Sequence, residues 1–353
     1  MIPELSKHHE AVRSALNRIV ATYGAGWEAV NEWGVDLRSR IVEFAGRGKL
    51  IRGALVAAGC EAFGGRTDES VYEAAAVVEL VQSFLLIHDD IMDEDRVRRG
   101  APAVVEQYRQ AGLDRSYMRV DRYAESMGIC AGDVALLVAI QALSGLSVGA
   151  ETAARLVGLV AGEIALVGVA QMGDVANGHS RREIPDQEII TLYRYKTGRY
   201  TFSLPLMMGA ALAGAGAATI DRIAAWGELQ GVVFQIRDDL LDVTEDSDRT
   251  GKPTGSDVVA NKQTLWRRML LERLDAAERG RLVGLFGKDD LAESELAELR
   301  EALVSTGTQD ELERRISEFR REAARIVEGI SGITSDGMKM LTALDRYNSE
   351  RSR

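Results

Sequence analysis

Proline is scarce in this chain, with five (Pro3, Pro102, Pro185, Pro205 and Pro253) among 353 residues, where average usage near 5% gives roughly 18. Long uninterrupted helices are therefore favoured over many turns. Cysteine is scarcer still: Cys60 and Cys130 stand far apart, with no CxxC and no histidine cluster beside them. That excludes a disulfide framework or a cysteine zinc site and fits a reducing compartment. Positive charge is in deficit, 43 Lys and Arg against 54 Asp and Glu, a net charge of −11. Nucleic acid and anionic membrane surfaces select the opposite sign, so neither is expected as a main partner. The N-terminal MIPELSKHHEAVRSALNRIV is amphipathic and lacks the two regions of a secretion signal. The most apolar runs, 129–149 and 152–173, carry Asp133, Arg155 and Glu163, so no membrane span is expected and the cytoplasm is the expected location.

What the chain does have is helical periodicity. Between Glu69 and Ile91 the apolar positions Val71, Ala74, Ala75, Val78, Val81 and Leu85 recur at helix spacing, with no Gly or Pro among them. Similar patterns run over 38–63, 121–146, 150–172, 186–213, 219–241, 261–286, 294–305 and 308–330. Gly64-Gly65, Asn177-Gly178, Gly214-Ala215-Gly216 and 250–256 mark loops. No Pro- or Ser-rich linker interrupts the chain, so one all-α domain spanning 1–353 is predicted. Small residues between 129 and 173 suit a bundle centre or a subunit interface.

Chemistry concentrates at two acidic clusters. His88-Asp89-Asp90-Ile91-Met92-Asp93-Glu94-Asp95 closes the helix that starts at Glu69, and Asp238-Asp239-Leu240-Leu241-Asp242 closes another. Asp89 and Asp93, like Asp238 and Asp242, are four apart and share a helix face. Like charges there repel, and a helix C-terminus disfavours anions, so a cation is expected at each. Oxygen-only ligands suit Mg²⁺, which takes one or two carboxylates and fills its remaining positions with water and substrate phosphate. Two such helices facing each other would clamp a diphosphate. Basic residues stand close in sequence: Lys49 and Arg52, Arg98 and Arg99, Lys196 and Lys252. Taken singly, each would pass as an ordinary surface cation.

Together these residues resemble the trans-isoprenyl diphosphate synthases, the polyprenyl synthetase family. The resemblance covers nearly the whole chain in order: GKLIR at 48–52, Gln82 ahead of HDDIMD, RRG at 98–100, Gly132-Asp133, Gln171 with Asp174, YKTGRY at 195–200, FQIRDDLLD at 234–242 and GKPTGSDVVANKQT at 251–264. One departure is Arg47-Gly48-Lys49-Leu50-Ile51-Arg52-Gly53, where the family pattern reads Gly-Gly-Lys-x-x-Arg-Pro.

The resemblance implies a single helical bundle of the isoprenoid synthase type with a central active-site cavity, and a homodimer. It implies condensation of isopentenyl diphosphate with dimethylallyl, geranyl or farnesyl diphosphate, assisted by Mg²⁺, three ions per site. By the same carry-over Asp89, Asp90, Asp93, Asp238, Asp239 and Asp242 hold metal. Arg98, Lys196, Lys252 and Lys262 hold the allylic diphosphate. Lys49, Arg52, Gln82 and Arg99 hold isopentenyl diphosphate. Lys196, Thr197 and Gln235 flank the carbocation, and the departing diphosphate takes the proton. His88 reads as structural.

Phe84, five residues before Asp89, with Leu85 beside it and no second aromatic, resembles the chain-length floor of geranylgeranyl-forming (C20) members. A farnesyl (C15) or longer-chain product is the alternative. The loop at 251–264 fits closure over substrate, and Arg351 and Arg353 are candidates to close over isopentenyl diphosphate. A terpene cyclase would carry Ser or Thr where Asp242 stands. A non-catalytic regulatory subunit would have lost Asp residues from one cluster, and both are intact.

Overall fold

The Asp68 carboxylate accepts a hydrogen bond from the Val71 N–H at 3.1 Å, and from that cap a helix runs unbroken over Glu69–Met92. The computed structural model describes residues 2–180, 182–244 and 254–350. Its elements follow in order as α1 (Pro3–Ser6), α2 (His9–Tyr23), α3 (Trp33–Gly46), α4 (Ile51–Ala62), α5 (Glu69–Met92), β1 (Val97–Arg98), β2 (Ala101–Pro102), α6 (Val104–Asp114), α7 (Val120–Ser144) and α8 (Ala150–Gly178). Then come α9 (Asp186–Leu192), a π-helical segment (Tyr193–Ser203), α10 (Leu204–Leu212), α11 (Ala217–Thr244), α12 (Ser256–Val259), α13 (Leu265–Arg273), α14 (Ala276–Val283), α15 (Glu293–Ser305), α16 (Thr308–Glu328) and α17 (Ser335–Ser349). Among the described residues the antiparallel pair β1–β2 is the only sheet.

The chain divides into two compact units, one of Met1–Ala161, Pro205–Ile220 and Gly332–Met340, the other of Gly162–Leu204, Asp221–Ser331 and Leu341–Arg353. In the first, α5 packs against α2, α4, α6 and α7. Its middle is buried from Ala74 to Ser83, which is why that stretch is apolar around most of its circumference rather than on one stripe, with Glu79, Gln82 and Ser83 the buried polar exceptions. In the second, Tyr193, Val232, Ile236, Leu240, Trp266, Leu270 and Leu299 share one core.

The periodic segments are broken in three places where the sequence pattern runs on. The 38–63 stretch parts between α3 and α4, because Leu50 takes a left-handed φ of 48°. Lys49 thus sits before the helix rather than on its first turn. The 186–213 stretch passes through the π-helical segment. The 261–286 stretch stops at Leu274, and Asp275 caps a new helix by accepting from the Ala277 and Glu278 N–H groups at 2.9 Å.

Three helices, α5, α7 and α8, are long and apolar enough to cross a membrane by length and composition alone. The most apolar window of α5 is 72% buried, which makes it a core helix, whereas that of α8 is 28% buried. Leu166, Val169, Met172 and Val175 of α8 are exposed, as are Ile129, Leu137 and Ile140 of α7.

Candidate active site

In the first unit the acidic cluster is held by one guanidinium. Asp93 is the C-cap of α5, its N–H donating to the Asp89 carbonyl at 2.8 Å, and the Asp95 N–H reaches the Asp90 carbonyl at 2.9 Å. The chain then turns back through β1 and β2. Their two-residue connection, Arg99-Gly100, has φ of 56° and 71°, the type I′ geometry that glycine favours and that suits hairpin twist. The return lays Arg98 against the cluster. Its Nε donates to Asp90 Oδ1 at 2.6 Å, and its Nη2 lies 3.0 Å from Asp95 and 3.4 Å from Asp89. Asp90 is fully buried, and its Oδ2 has no hydrogen-bond partner among the described residues. Burial pushes its carboxyl up to about 6, against the pull of Arg98.

The cations expected to hold isopentenyl diphosphate gather nearby in the same unit. Arg99 lies over Gly48 and donates to the Phe44 carbonyl at 3.4 Å. Arg52 belongs to the first turn of α4, where the Gly53 N–H donates to Glu79 at 2.7 Å. Glu79 is a residue the sequence reading missed. Burial raises its pKa, while the Gly53 N–H, Arg52 and Arg99 lower it. Gln82, one turn further along α5, is buried, and Phe84 and Leu85 are half-buried.

In the second unit a chain of hydrogen bonds crosses from the π-helical segment to α11. Thr197 Oγ1 donates to Gln235 Oε1 at 2.8 Å, Gln235 Nε2 donates to Asp239 Oδ1 at 2.7 Å, and the Tyr193 hydroxyl donates to Asp239 Oδ2. Tyr193 in turn accepts from the Leu265 N–H at 3.0 Å. Burial raises Asp239, as does the charge of Asp257. Asp242 accepts from the Ser256 hydroxyl at 2.8 Å and the Asp257 N–H at 3.0 Å, which ties the C-terminal end of α11 to α12. Lys196 is ion-paired with Asp174, and Lys262 with Asp257 at 2.9 Å. Asp257, and then Asp239 and Asp174, hold the Lys262 ammonium well above its usual range.

The structure thus brings Lys196, Thr197, Gln235, Asp239, Asp242 and Lys262 into one polar cluster, with Asp238 half-buried on the same helix. Sequence reasoning missed Tyr193 and Asp257. A signal for Asp257 was available in its place inside the SDVVANK run, five residues before Lys262. Lys252, Arg351 and Arg353 lie outside the described residues. Among the described residues no three His, Cys, Asp or Glu side chains form a ready metal cage.

The pattern of the polyprenyl synthetase family matches residues 38–303. A short chain isoprenyl diphosphate synthase of Methanothermobacter thermautotrophicus is 32% identical over 243 residues, 69% of each chain. A geranylgeranyl diphosphate synthase of Sulfolobus acidocaldarius is 31% identical over 257 residues, 72% of each chain. The crystal structure of geranylgeranyl pyrophosphate synthase from Corynebacterium glutamicum, complexed with isoprenyl diphosphate and magnesium, matches with a TM-score of 0.90 at 29% identity, covering 99% of both chains.

Proposed function

The chain belongs to the polyprenyl synthetase family, a prenyltransferase of the all-α isoprenoid synthase fold, and from that premise we propose that it condenses isopentenyl diphosphate with allylic diphosphates to geranylgeranyl diphosphate (C20). One observation carries the reading: each unit holds an acidic cluster with basic side chains set against it, Arg98 in one and Lys196 with Lys262 in the other.

The residues fit a hard divalent cation, Mg²⁺ in this reading. The donors are all oxygens, Asp90 carries a buried carboxylate oxygen without a hydrogen-bond partner among the described residues, and Mg²⁺ needs few protein ligands. In one unit Asp89 and Asp93 would hold such cations, and in the other Asp238 with Asp242, Asp90 and Asp239 completing the motifs. Each such ion would supply positive charge to the leaving diphosphate.

Arg98, Lys196 and Lys262 bind the allylic diphosphate and stabilise the charge that develops as the C–O bond breaks. The Thr197 hydroxyl and the Gln235 amide, fixed by their mutual hydrogen bond, present dipoles rather than a nucleophile to the allylic cation. Lys49, Arg52, Gln82 and Arg99 hold isopentenyl diphosphate, whose double bond attacks the cation. The proton then leaves to the departing diphosphate, since no His or Glu of the motifs is an obvious base.

Product length is set by Phe84 with Leu85 in this reading. Purified enzyme given Mg²⁺, labelled isopentenyl diphosphate and each allylic primer is expected to stop at C20, and Phe84→Ala to run longer. A C15 product, or a C20 product unchanged in the variant, would remove the Phe84 floor. No condensation would favour the regulatory-subunit reading. The exposed apolar side chains of α7 and α8 support a homodimer.

A further inference from the structure

Gly128 and Gly132 stand one helical turn apart on the side of α7 that meets α5. A Cβ at Gly128 would fall 2.8 Å from Ile91 Cδ1, and one at Gly132 would fall 2.4 Å from both Cδ2 and Nε2 of His88. The bare backbone at 132 is therefore the seat of the His88 imidazole. There the ring Nε2 lies 3.1 Å from the Ile129 carbonyl oxygen and 3.6 Å from Asp133. The same ring meets Phe84, one turn earlier on α5, with ring centroids 4.8 Å apart and planes at 67°. An edge-to-face contact of this kind favours one ring orientation. Phe84 is half-buried, and the imidazole is one of the neighbours against which its ring rests.

We propose that His88, seated on Gly132 and bonded to the Ile129 carbonyl, is a positioning residue that fixes the Phe84 ring and thereby sets where chain growth stops. The inference rests on Phe84 as the chain-length floor. Without the imidazole the phenyl ring is free to swing toward the space His88 leaves, and the floor admits a further five-carbon unit. His88 touches no substrate in this account and acts through Phe84 alone.

The test is product analysis with farnesyl diphosphate as primer in Mg²⁺, for wild type, His88→Ala, His88→Gln, Phe84→Ala and the double variant Phe84→Ala/His88→Ala, with melting temperature followed alongside. His88→Ala is expected to raise the fraction of product beyond C20 about tenfold, the equivalent of about 1.4 kcal/mol between stopping and continuing. His88→Gln keeps bulk and an N–H for the Ile129 carbonyl and is expected to stay at C20. The double variant is expected to run no longer than Phe84→Ala alone. A merely structural role would lower activity or melting temperature and leave product length unchanged.

Lengthening in Phe84→Ala with none in His88→Ala would overturn the proposal and keep the floor. Failure of Phe84→Ala itself to lengthen would overturn both. Should His88→Ala fold poorly, His88→Asn, whose amide is one methylene too short to fill the place of the ring, is expected to lengthen product partway, and a C20 product from it would count against the proposal.

Discussion

Arg98 is the residue on which the first acidic cluster depends. It is 14% exposed and meets Asp89, Asp90 and Asp95, so Arg98→Ala leaves a fully buried carboxylate without its counter-charge. Removing one partner of a buried pair costs about 3–5 kcal/mol, and that loss is expected in urea unfolding with metal chelated, part of it recovered on adding Mg²⁺. His8 gives a second, independent test, far from the metal-binding motifs. Its ring is buried against Tyr72 at 3.2 Å, with Glu61 3.5 Å away, and burial lowers its pKa below the ordinary 6.5, more than Glu61 raises it. Below pH 6.5 the unfolded chain takes up a proton that the folded ring resists, so stability is lost as pH falls through that range. His8→Gln, which does not titrate, is expected to flatten that slope in melting temperatures taken between pH 7.5 and 5.5.

At the scale of elements, the π-helical segment Tyr193–Ser203 does what an α-helix over the same residues would not. Its wider turns direct Tyr193, Lys196 and Thr197 to separate partners, Asp239, Asp174 and Gln235. It also brings Gly198 against α11, where a Cβ at Gly231 would lie 2.0 Å from the Gly198 Cα. Gly231→Ala drives backbone against backbone, and a loss of about 3 kcal/mol or more is expected in urea unfolding, at the upper end of overpacking costs. The expected kinetic companion is a fall in kcat as Thr197 parts from Gln235.

This segment also marks where the sequence stopped being legible. The α5 and α16 helices were readable to within about two residues, because a long apolar or amphipathic period leaves little choice. The π-helix carries the same residue types as its α neighbours, and nothing in a period of 3.6 announces an extra residue per turn. The β1–β2 hairpin was missed because its strands are two residues each, too short for any alternation, although Arg99-Gly100 was a turn signal. The acidic motifs stood out by spacing, whereas their cations could be singled out only through the family resemblance. That Asp95 would pair with Arg98, Asp257 with Lys262, and that Glu79 would be buried beside Arg52, could not be read, since a partner brought in by a turn or a neighbouring helix has no fixed offset.

For the whole molecule, the apolar side chains left on the outside carry the strongest expectation. Leu137 of α7 is 62% exposed, and Val169 and Met172 of α8 are 67% and 73% exposed, and exposed apolar side chains of this size are the kind a subunit contact covers. In the proposed homodimer a charge placed on the exposed face of α7 is expected to part the subunits. Sedimentation of the wild type should give a dimer and of Leu137→Glu a monomer; a wild-type monomer would refute the assembly.

Arg98 has one more consequence, for the order of events in a reaction cycle. Its guanidinium already occupies the carboxylates of the first cluster, and in the proposed reading it also serves the allylic diphosphate. The cycle then opens with an exchange of partners rather than the filling of a vacancy. A cation arriving alone competes with arginine for the acids, and a diphosphate arriving alone competes with the acids for arginine. Arriving together, each releases what the other needs, so metal and allylic substrate are expected to bind with positive cooperativity, while in the resting enzyme the guanidinium offsets part of the charge on its acids between turnovers.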